Sequence, residues 1–188
     1  MPDLFIIGGP NGAGKTTIAL RLLPSLACYE YVNADAIAAA LSPFKPESVA
    51  LQAGRIMLER LHAVAITGAD FAFETTMAAR PLPLVQQCQD EGYTVNVLYI
   101  WLQSVELAIQ RVAVRVRSGG HSIPEETIRR RYATGRKNFV SLYMPLADSW
   151  WVYDNSNEAP FPIAEGNLTE NVIHHREHWH NITSFAQN

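Results

Sequence analysis

A three-layer α/β sandwich on a five-stranded, mostly parallel sheet is the fold this sequence predicts, and three observations carry the prediction. Short apolar runs alternate with longer segments of helical character, the signature of βαβ units. The first run, Leu4-Phe5-Ile6-Ile7, leads straight into Gly9-Pro10-Asn11-Gly12-Ala13-Gly14-Lys15-Thr16, a complete G-x-x-x-x-G-K-[ST] phosphate loop. At 188 residues, with 48% hydrophobic and 18% charged side chains, the chain fits a single domain (residues 1–188) with one core.

The strands are expected at residues 3–8, 29–34, 70–75, 94–102 and 149–154. The first helix, 15–23, is opened by the phosphate loop and stopped by Pro24; the second, 35–41, ends at Ser42-Pro43. A long amphipathic helix over 46–67 is closed by Gly68, and another over 80–91 by Gly92. Helices over 104–117 and 124–140 follow. Ser104 is their first N-cap, with Glu106 in the opening turn, and Pro124-Glu125-Glu126 suits a helix start by φ and by dipole. Between them Ser118-Gly119-Gly120-His121-Ser122-Ile123 reads as a mobile connection, the tip of a helical lid spanning about residues 111–137. After Asn157 the breakers Pro160, Pro162 and Gly166 mark a loop, then a last helix over about 169–181. Residues 160–188 thus read as a C-terminal helical extension whose end, Ser184–Asn188, frays.

Composition excludes several classes. No stretch approaches the ~20 apolar residues of a membrane helix, and the first apolar run belongs to the phosphate-loop strand rather than to a leader. A cytoplasmic protein without membrane contact is expected. Cys28 and Cys88 are too few and too far apart for a disulfide framework or a zinc knuckle, and read as small buried hydrophobes. The net charge of −3 argues against nucleic acid as a partner. Its distribution is uneven: between Arg111 and Lys137 eight cationic side chains face only Glu125 and Glu126, a local +6. Arginine outnumbers lysine twelve to three, which favours planar forks that grip phosphate bidentately.

The phosphate loop is the strongest functional signal. Gly9, Gly12 and Gly14 allow a turn tight enough to aim several backbone N–H groups at one phosphate chain, and Pro10, Asn11, Ala13 and Thr17 complete the cradle. Lys15 adds a point charge near the β and γ phosphates, Thr16 offers a hydroxyl to Mg²⁺, and the helix start lends its dipole. In open α/β sheets the carboxyl ends of the strands line the ligand crevice, so Lys15, Asp35, Glu74 and the residues after Leu102 are expected to converge there. Asp35, after the second strand, can take a proton from an attacking hydroxyl or hold Mg²⁺ through water; it can equally be the N-cap of the helix that follows. Glu74 leaves a buried strand beside Thr75 and Thr76, suited to metal-bound water or to substrate hydroxyls, or to capping the next turn. Arg80 reads equally as a substrate contact or a solvated arginine.

Phosphoryl transfer needs fixed positive charge, and the lid supplies it. Arg111 and Arg115 are i,i+4 neighbours while Arg117 is turned away, so Arg111, Arg115 and either Arg131 or Arg130 are the inward candidates, against a solvated basic face. His174 and His178 have i,i+4 spacing, but without a third ligand they read as a polar surface helix that includes His175 and His180. His121 is a weak candidate for phosphate or base contact. An ABC-type ATPase lacks support because no L-S-G-G-Q-like signature occurs, and a GTPase switch because no N-K-x-D does.

Taken together, Gly9 to Thr17, Asn33-Ala34-Asp35, Phe73-Glu74-Thr75-Thr76, and Gly119-Gly120-His121 with Ile123-Pro124 and Arg129-Arg130-Arg131-Tyr132 resemble the zeta-toxin family of P-loop kinases, in particular its small stand-alone bacterial members. The resemblance spans roughly residues 3–156. It implies the P-loop NTPase sandwich, an ATP- or GTP-dependent and Mg²⁺-requiring kinase, and a small-molecule substrate with a hydroxyl acceptor such as the UDP-amino sugar UDP-N-acetylglucosamine. It implies Lys15 as the phosphate-loop lysine, Asp35 as base, Glu74 as the substrate-side acid, two catalytic arginines among Arg111, Arg115 and Arg131, and an antitoxin protein as partner. An antibiotic or nucleotide kinase on the same scaffold is the alternative, and a nucleotide-hydrolysing switch or ATPase module the alternative from another class.

Overall fold

β1 (Asp3–Gly8) lies inside the sheet, hydrogen-bonded to a parallel strand on either side, which is why its sequence is apolar on both faces. The computed structural model describes residues 1–120 and 122–184. After β1 come α1 (Lys15–Ser25), β2 (Glu30–Val32), α2 (Ala34–Leu41), a 3₁₀ turn at Pro46–Val49, α3 (Ala50–Ala65), β3 (Phe71–Thr75), α4 (Leu82–Asp90) and β4 (Thr94–Trp101). α5 (Val105–Arg117) and α6 (Glu125–Asn138) follow, then a π turn at Phe139–Tyr143, a 3₁₀ turn at Met144–Leu146, β5 (Ser149–Asp154), β6 (Phe161–Asn167), β7 (Asn171–Ile173) and α7 (Arg176–Thr183). The sheet order is β2-β3-β1-β4-β5-β6-β7, parallel through β5 and antiparallel beyond it.

Strand alternation sorts the core into two faces. Leu4, Ile6, Phe71, Phe73, Val95, Val97 and Tyr99 pack against α3, α4, the π turn and α7; Ile7 and Ala72 pack against Ala19 and Leu23 of α1. A third cluster joins Ala13 of the phosphate loop to Ile100 and Leu102 and to Ala108, Val112 and Ile128 of α5 and α6. The base of the helical pair is therefore seated on the loop and on the end of β4, and the Tyr132 hydroxyl donating to Leu102 O at 2.6 Å pins it there.

The sequence-based reading differs from the structure in its last quarter. All five expected strands are present, but the sheet has seven, because the region expected as a loop and helical extension (160–188) first forms the β6–β7 hairpin. Pro162 misled the reading as a breaker. It stands opposite Tyr153, where the β5–β6 register shifts, a place where a missing N–H is tolerated. The last helix is accordingly shorter, opening at Arg176. Trp179 stacks on Trp150 at 5.4 Å and Ile182 is buried, so α7 covers the sheet face beside β5. α1 runs through Pro24 to Ser25, since a proline in the last turn removes one hydrogen bond only. The expected helix over 46–67 is a 3₁₀ turn followed by α3. His121 and the expected frayed end beyond Ser184 lie outside the described residues.

Candidate active site

The phosphate loop occupies residues 9–16 between β1 and α1, at the carboxyl edge of the sheet. Gly12 and Gly14 have φ of 80° and 83°, a left-handed conformation that only glycine adopts without strain. Their lack of a side chain also permits contact: a Cβ on Gly12 would stand 2.9 Å from Ala108 O of α5, and one on Gly14 2.8 Å from Nδ2 of Asn155. That Asn155 amide donates to Ala13 O at 2.9 Å. Asn11 is buried, and its Oδ1 has no hydrogen-bond partner among the described residues. An orphaned polar atom inside a glycine-turned cradle fits a phosphate chain with its bound metal and water.

Lys15 is buried, donates to Pro10 O at 2.9 Å and lies 3.7 Å from Oε1 of Glu74. Burial lowers its pKa first, Arg115 and Arg131 act in the same direction, and Glu74 and Asp35 oppose them. The other oxygen of Glu74 accepts three hydrogen bonds: from the Thr16 hydroxyl at 2.7 Å, the Tyr31 phenol at 2.6 Å and Asn33 Nδ2 at 3.0 Å. Burial and the adjacent Glu74 carboxylate push the Tyr31 phenol far above its ordinary value, which keeps it a donor. Glu74 is thus tied to the hydroxyl expected to ligate Mg²⁺. Among the described residues no cluster of three or more His, Cys, Asp or Glu side chains could hold a metal by itself; the Thr16 hydroxyl, held by the Glu74 carboxylate, together with phosphate oxygens and water would be a donor set that suits Mg²⁺.

The helix opening at Ala34 is capped by Asn33, whose Oδ1 accepts from the N–H groups of Asp35 and Ala36 at 2.8 and 3.3 Å. Asp35 is therefore not the N-cap that one reading allowed; it sits in the first turn, half-buried. It lines a cavity of about 260 Å³ together with Asn11, Lys15, Glu74, Thr75, Thr76 and Arg131. Ala50, Gly54, Met57 and Leu58 of α3 form its less polar wall, and Arg80 and Pro81 close another side. The chain leaves β3 through Met77, a buried residue at φ 61°. Such a conformation is strained by roughly 1–3 kcal/mol, and two bonds from the ends of α6 and the π turn hold it. Asn138 Nδ2 donates to Met77 O at 2.8 Å and the Tyr143 hydroxyl to Ala78 O at 2.6 Å.

The arginines divide. Arg131 faces the cavity and lies close enough to Lys15 to lower its pKa, as does Arg115. Arg130 and Arg117 are exposed. Arg111, expected to be catalytic, holds two backbone carbonyls beside the phosphate loop: its guanidinium donates to Asn155 O at 2.7 Å and Ser156 O at 3.1 Å. It braces the loop whose Asn155 touches the phosphate loop, and its own Cβ lies 3.1 Å from where a Cβ on Gly12 would stand. His174 precedes α7 and contacts Glu165 at 3.0 Å, while His178 lies 3.3 Å from the buried Asp154, so the i,i+4 pair does not share a ligand. Cys28 and Cys88 are buried, each thiol pushed up to about 11 by burial.

Tyr31, Asn33, Asn155 and Asp154 were not foreseen from sequence as site residues. Asn33 and Tyr31 had a usable signal, polar groups at the end of a strand pointing into the crevice. Asp154 had the same signal at the end of β5: it is fully buried and accepts from Gln103 Nε2 at 2.9 Å and Ser156 N at 2.7 Å, shaping the turn that presents Asn155.

The chain matches the family model described as Zeta toxin over residues 1–161. An uncharacterized protein of Haemophilus influenzae is 30% identical over 125 residues, covering 66% of this chain and 88% of that protein. Among solved structures, the AvrRxo1-ORF1:-ORF2 complex with ATP superposes with a TM-score of 0.76 at 17% identity, over 98% of this chain and 64% of that one. The chain thus spans just under two thirds of that protein's length. The PezAT chromosomal toxin-antitoxin system of Streptococcus pneumoniae superposes with a TM-score of 0.64 at 15% identity, over 100% of this chain and 81% of that one. Both likenesses are of fold.

Proposed function

The chain belongs to the zeta toxin family of P-loop kinases, and from that premise we propose that it moves the γ-phosphate of ATP onto a hydroxyl of a small molecule. One observation carries the reading. Asn11 and Lys15 of the phosphate loop line the same cavity as Asp35, Glu74, Thr75, Thr76, Arg80 and Arg131. A hydrolase needs space for one water, of order 30 Å³. About 260 Å³ leaves room for an organic acceptor.

Lys15 and the loop amides hold the β and γ phosphates, with Asn11 beside them. Thr16, whose hydroxyl is oriented by Glu74, would hold Mg²⁺, and Asp35, which lines the same cavity, would assist through water. Bound Mg²⁺ supplies neutralisation of the phosphate oxygens. Asp35 accepts the proton of the attacking hydroxyl as the acceptor oxygen bonds to the γ phosphorus and the bond to the departing ADP breaks. Arg131 and Arg115 offset the charge spread over the transferring group. Thr75, Thr76 and Arg80 position the acceptor. Family membership, together with the description of PezAT as a toxin-antitoxin system, supports an antitoxin protein as partner.

The test is a metabolite extract incubated with the protein, Mg²⁺ and ATP, read by mass spectrometry. One or more metabolites gain a phosphoryl group with the natural chain and not with Asp35→Asn. Gain with both chains removes Asp35 from its role, and gain with neither removes the acceptor chemistry.

A further inference from the structure

The chain leaves β3 past the cavity through Thr75, Thr76, Met77 and Ala78, and four successive carbonyls of this stretch are each met from outside it. Thr75 O accepts from Gly9 N of the phosphate loop at 3.2 Å. Met77 O accepts from Asn138 Nδ2 at 2.8 Å, and Ala78 O from the Tyr143 hydroxyl at 2.6 Å. Thr76 O abuts Gly135 of α6, where a Cβ would stand only 2.5 Å from it. The Met77 side chain fills the room left by Gly8, the residue before the phosphate loop: a Cβ there would stand 2.5 Å from Met77 Sδ. The strained turn is thus wedged between the base of the phosphate loop and one face of α6.

Gly135 is buried inside α6, where glycine is disfavoured relative to alanine, and its φ is not positive, so helix geometry gives no reason for it. The close approach does. A Cβ 2.5 Å from a carbonyl oxygen is about 1 Å inside contact distance, and with backbone on both sides no flexible side chain can yield. Nor can α6 retreat freely. Before Gly135 the Tyr132 hydroxyl donates to Leu102 O at 2.6 Å, and after it Arg136 Nη1 donates to Asn181 O of α7 at 2.9 Å. Arg131, Gly135 and Asn138 are spaced i, i+4 and i+7, so they share one face of the helix. The arginine that lines the cavity with Lys15 and the two residues that grip the turn therefore lie on one stripe.

We infer that Gly135 is a positioning residue for phosphoryl transfer: its bare backbone, seated on Thr76 O, sets how far Arg131 stands from the γ-phosphate held by the loop. A fixed cation stabilises the transferring group only where it is held, and a misplacement of about 1 Å is enough to cost about 10²-fold in rate. The inference rests on the reading of Arg131 above as a cation facing the transferring group. It does not depend on which acceptor receives the phosphate.

The test uses γ-labelled ATP and Mg²⁺ with water as the acceptor, since Arg131 acts on the transferring group whatever receives it. In single-turnover phosphate release Gly135→Ala should be slowed about 10²-fold. The ATP concentration for half-maximal rate, and the rise in melting temperature that ATP gives, should stay as in the natural chain. Asn138→Ala, which removes the donor to Met77 O, should be slowed in the same way by about fivefold, one hydrogen bond's worth; it carries the test if Gly135→Ala does not fold. A double-mutant cycle assigns the route: in a chain that already carries Arg131→Gln, Gly135→Ala should cost little more. Losses that multiply in the double variant overturn the action through Arg131. A natural rate in Gly135→Ala reduces Gly135 to packing and overturns the inference, whether the melting temperature rises with helix propensity or falls. A natural rate in Arg131→Gln overturns it through its premise and leaves transfer to a hydroxyl to be decided by the metabolite test.

Discussion

The two halves of the site are built differently. On the donor side the backbone is turned by glycines, Lys15 is buried, and Thr16, Tyr31, Asn33 and Glu74 are already hydrogen-bonded to one another. On the acceptor side the wall is a bare stretch of α3, Arg80 and Arg131 face the cavity, and the exit from β3 is held in a strained turn by Asn138 and Tyr143. On the proposed reading the donor half is preorganised for one anion common to every turnover, whereas the acceptor half is shaped by a few side chains outside the loop. Nucleotide binding and acceptor choice should therefore respond to different substitutions.

The largest effect is expected at Lys15. Lys15→Met should lower kcat/KM about 10³-fold, as for loss of a preorganised charge at the transition state, and should abolish the thermal stabilisation given by ATP, measured by melting with and without nucleotide. Asp35→Asn should lower kcat by about 10²–10⁴-fold but keep the ATP-induced stabilisation. If both variants lose stabilisation equally, the division into halves fails. Asn155→Ala cuts the tie to Ala13 O; loss of one hydrogen bond, about 1 kcal/mol, should raise KM for ATP about fivefold and leave KM for the acceptor in place. Tyr31→Phe removes one of three donors from Glu74 and should raise the Mg²⁺ concentration for half-maximal activity by a similar factor or less.

A pH profile sharpens the same comparison. Burial first, with Arg115 and Arg131, holds the Lys15 pKa below 10.5. The charged form that grips phosphate is therefore lost at a pH below 10.5, and kcat/KM should fall there on the alkaline side. The unfolded chain keeps this proton up to its ordinary value, so between the two values the unfolded state binds more protons and this group's contribution makes stability rise with pH. Lys15→Met should remove that dependence.

How far sequence could reach follows the same line. The phosphate loop, the parallel strands and the convergence of Lys15, Asp35 and Glu74 were legible because glycine spacing and apolar runs are local signals. The cap at Asn33 was missed because Asp35, one residue inside the helix, is an equally good capping residue by type. The contacts of Arg111 were not legible because charge pattern shows where cations lie and not which carbonyls meet them: Asn155 and Ser156 are more than 40 residues away. The β6–β7 hairpin was hidden by Pro162, whose tolerance depends on the register of β5.

The central claim is that the γ-phosphate goes to a hydroxyl held in the cavity beside Asp35. Its most direct measurement is the partition of γ-labelled phosphate between organic product and free phosphate as acceptor is added to the protein, ATP and Mg²⁺. The account predicts slow release to water without acceptor and label appearing in a phosphate ester when it is present, in step with ADP formed. Label that appears only as free phosphate, at a rate no acceptor changes, would contradict it.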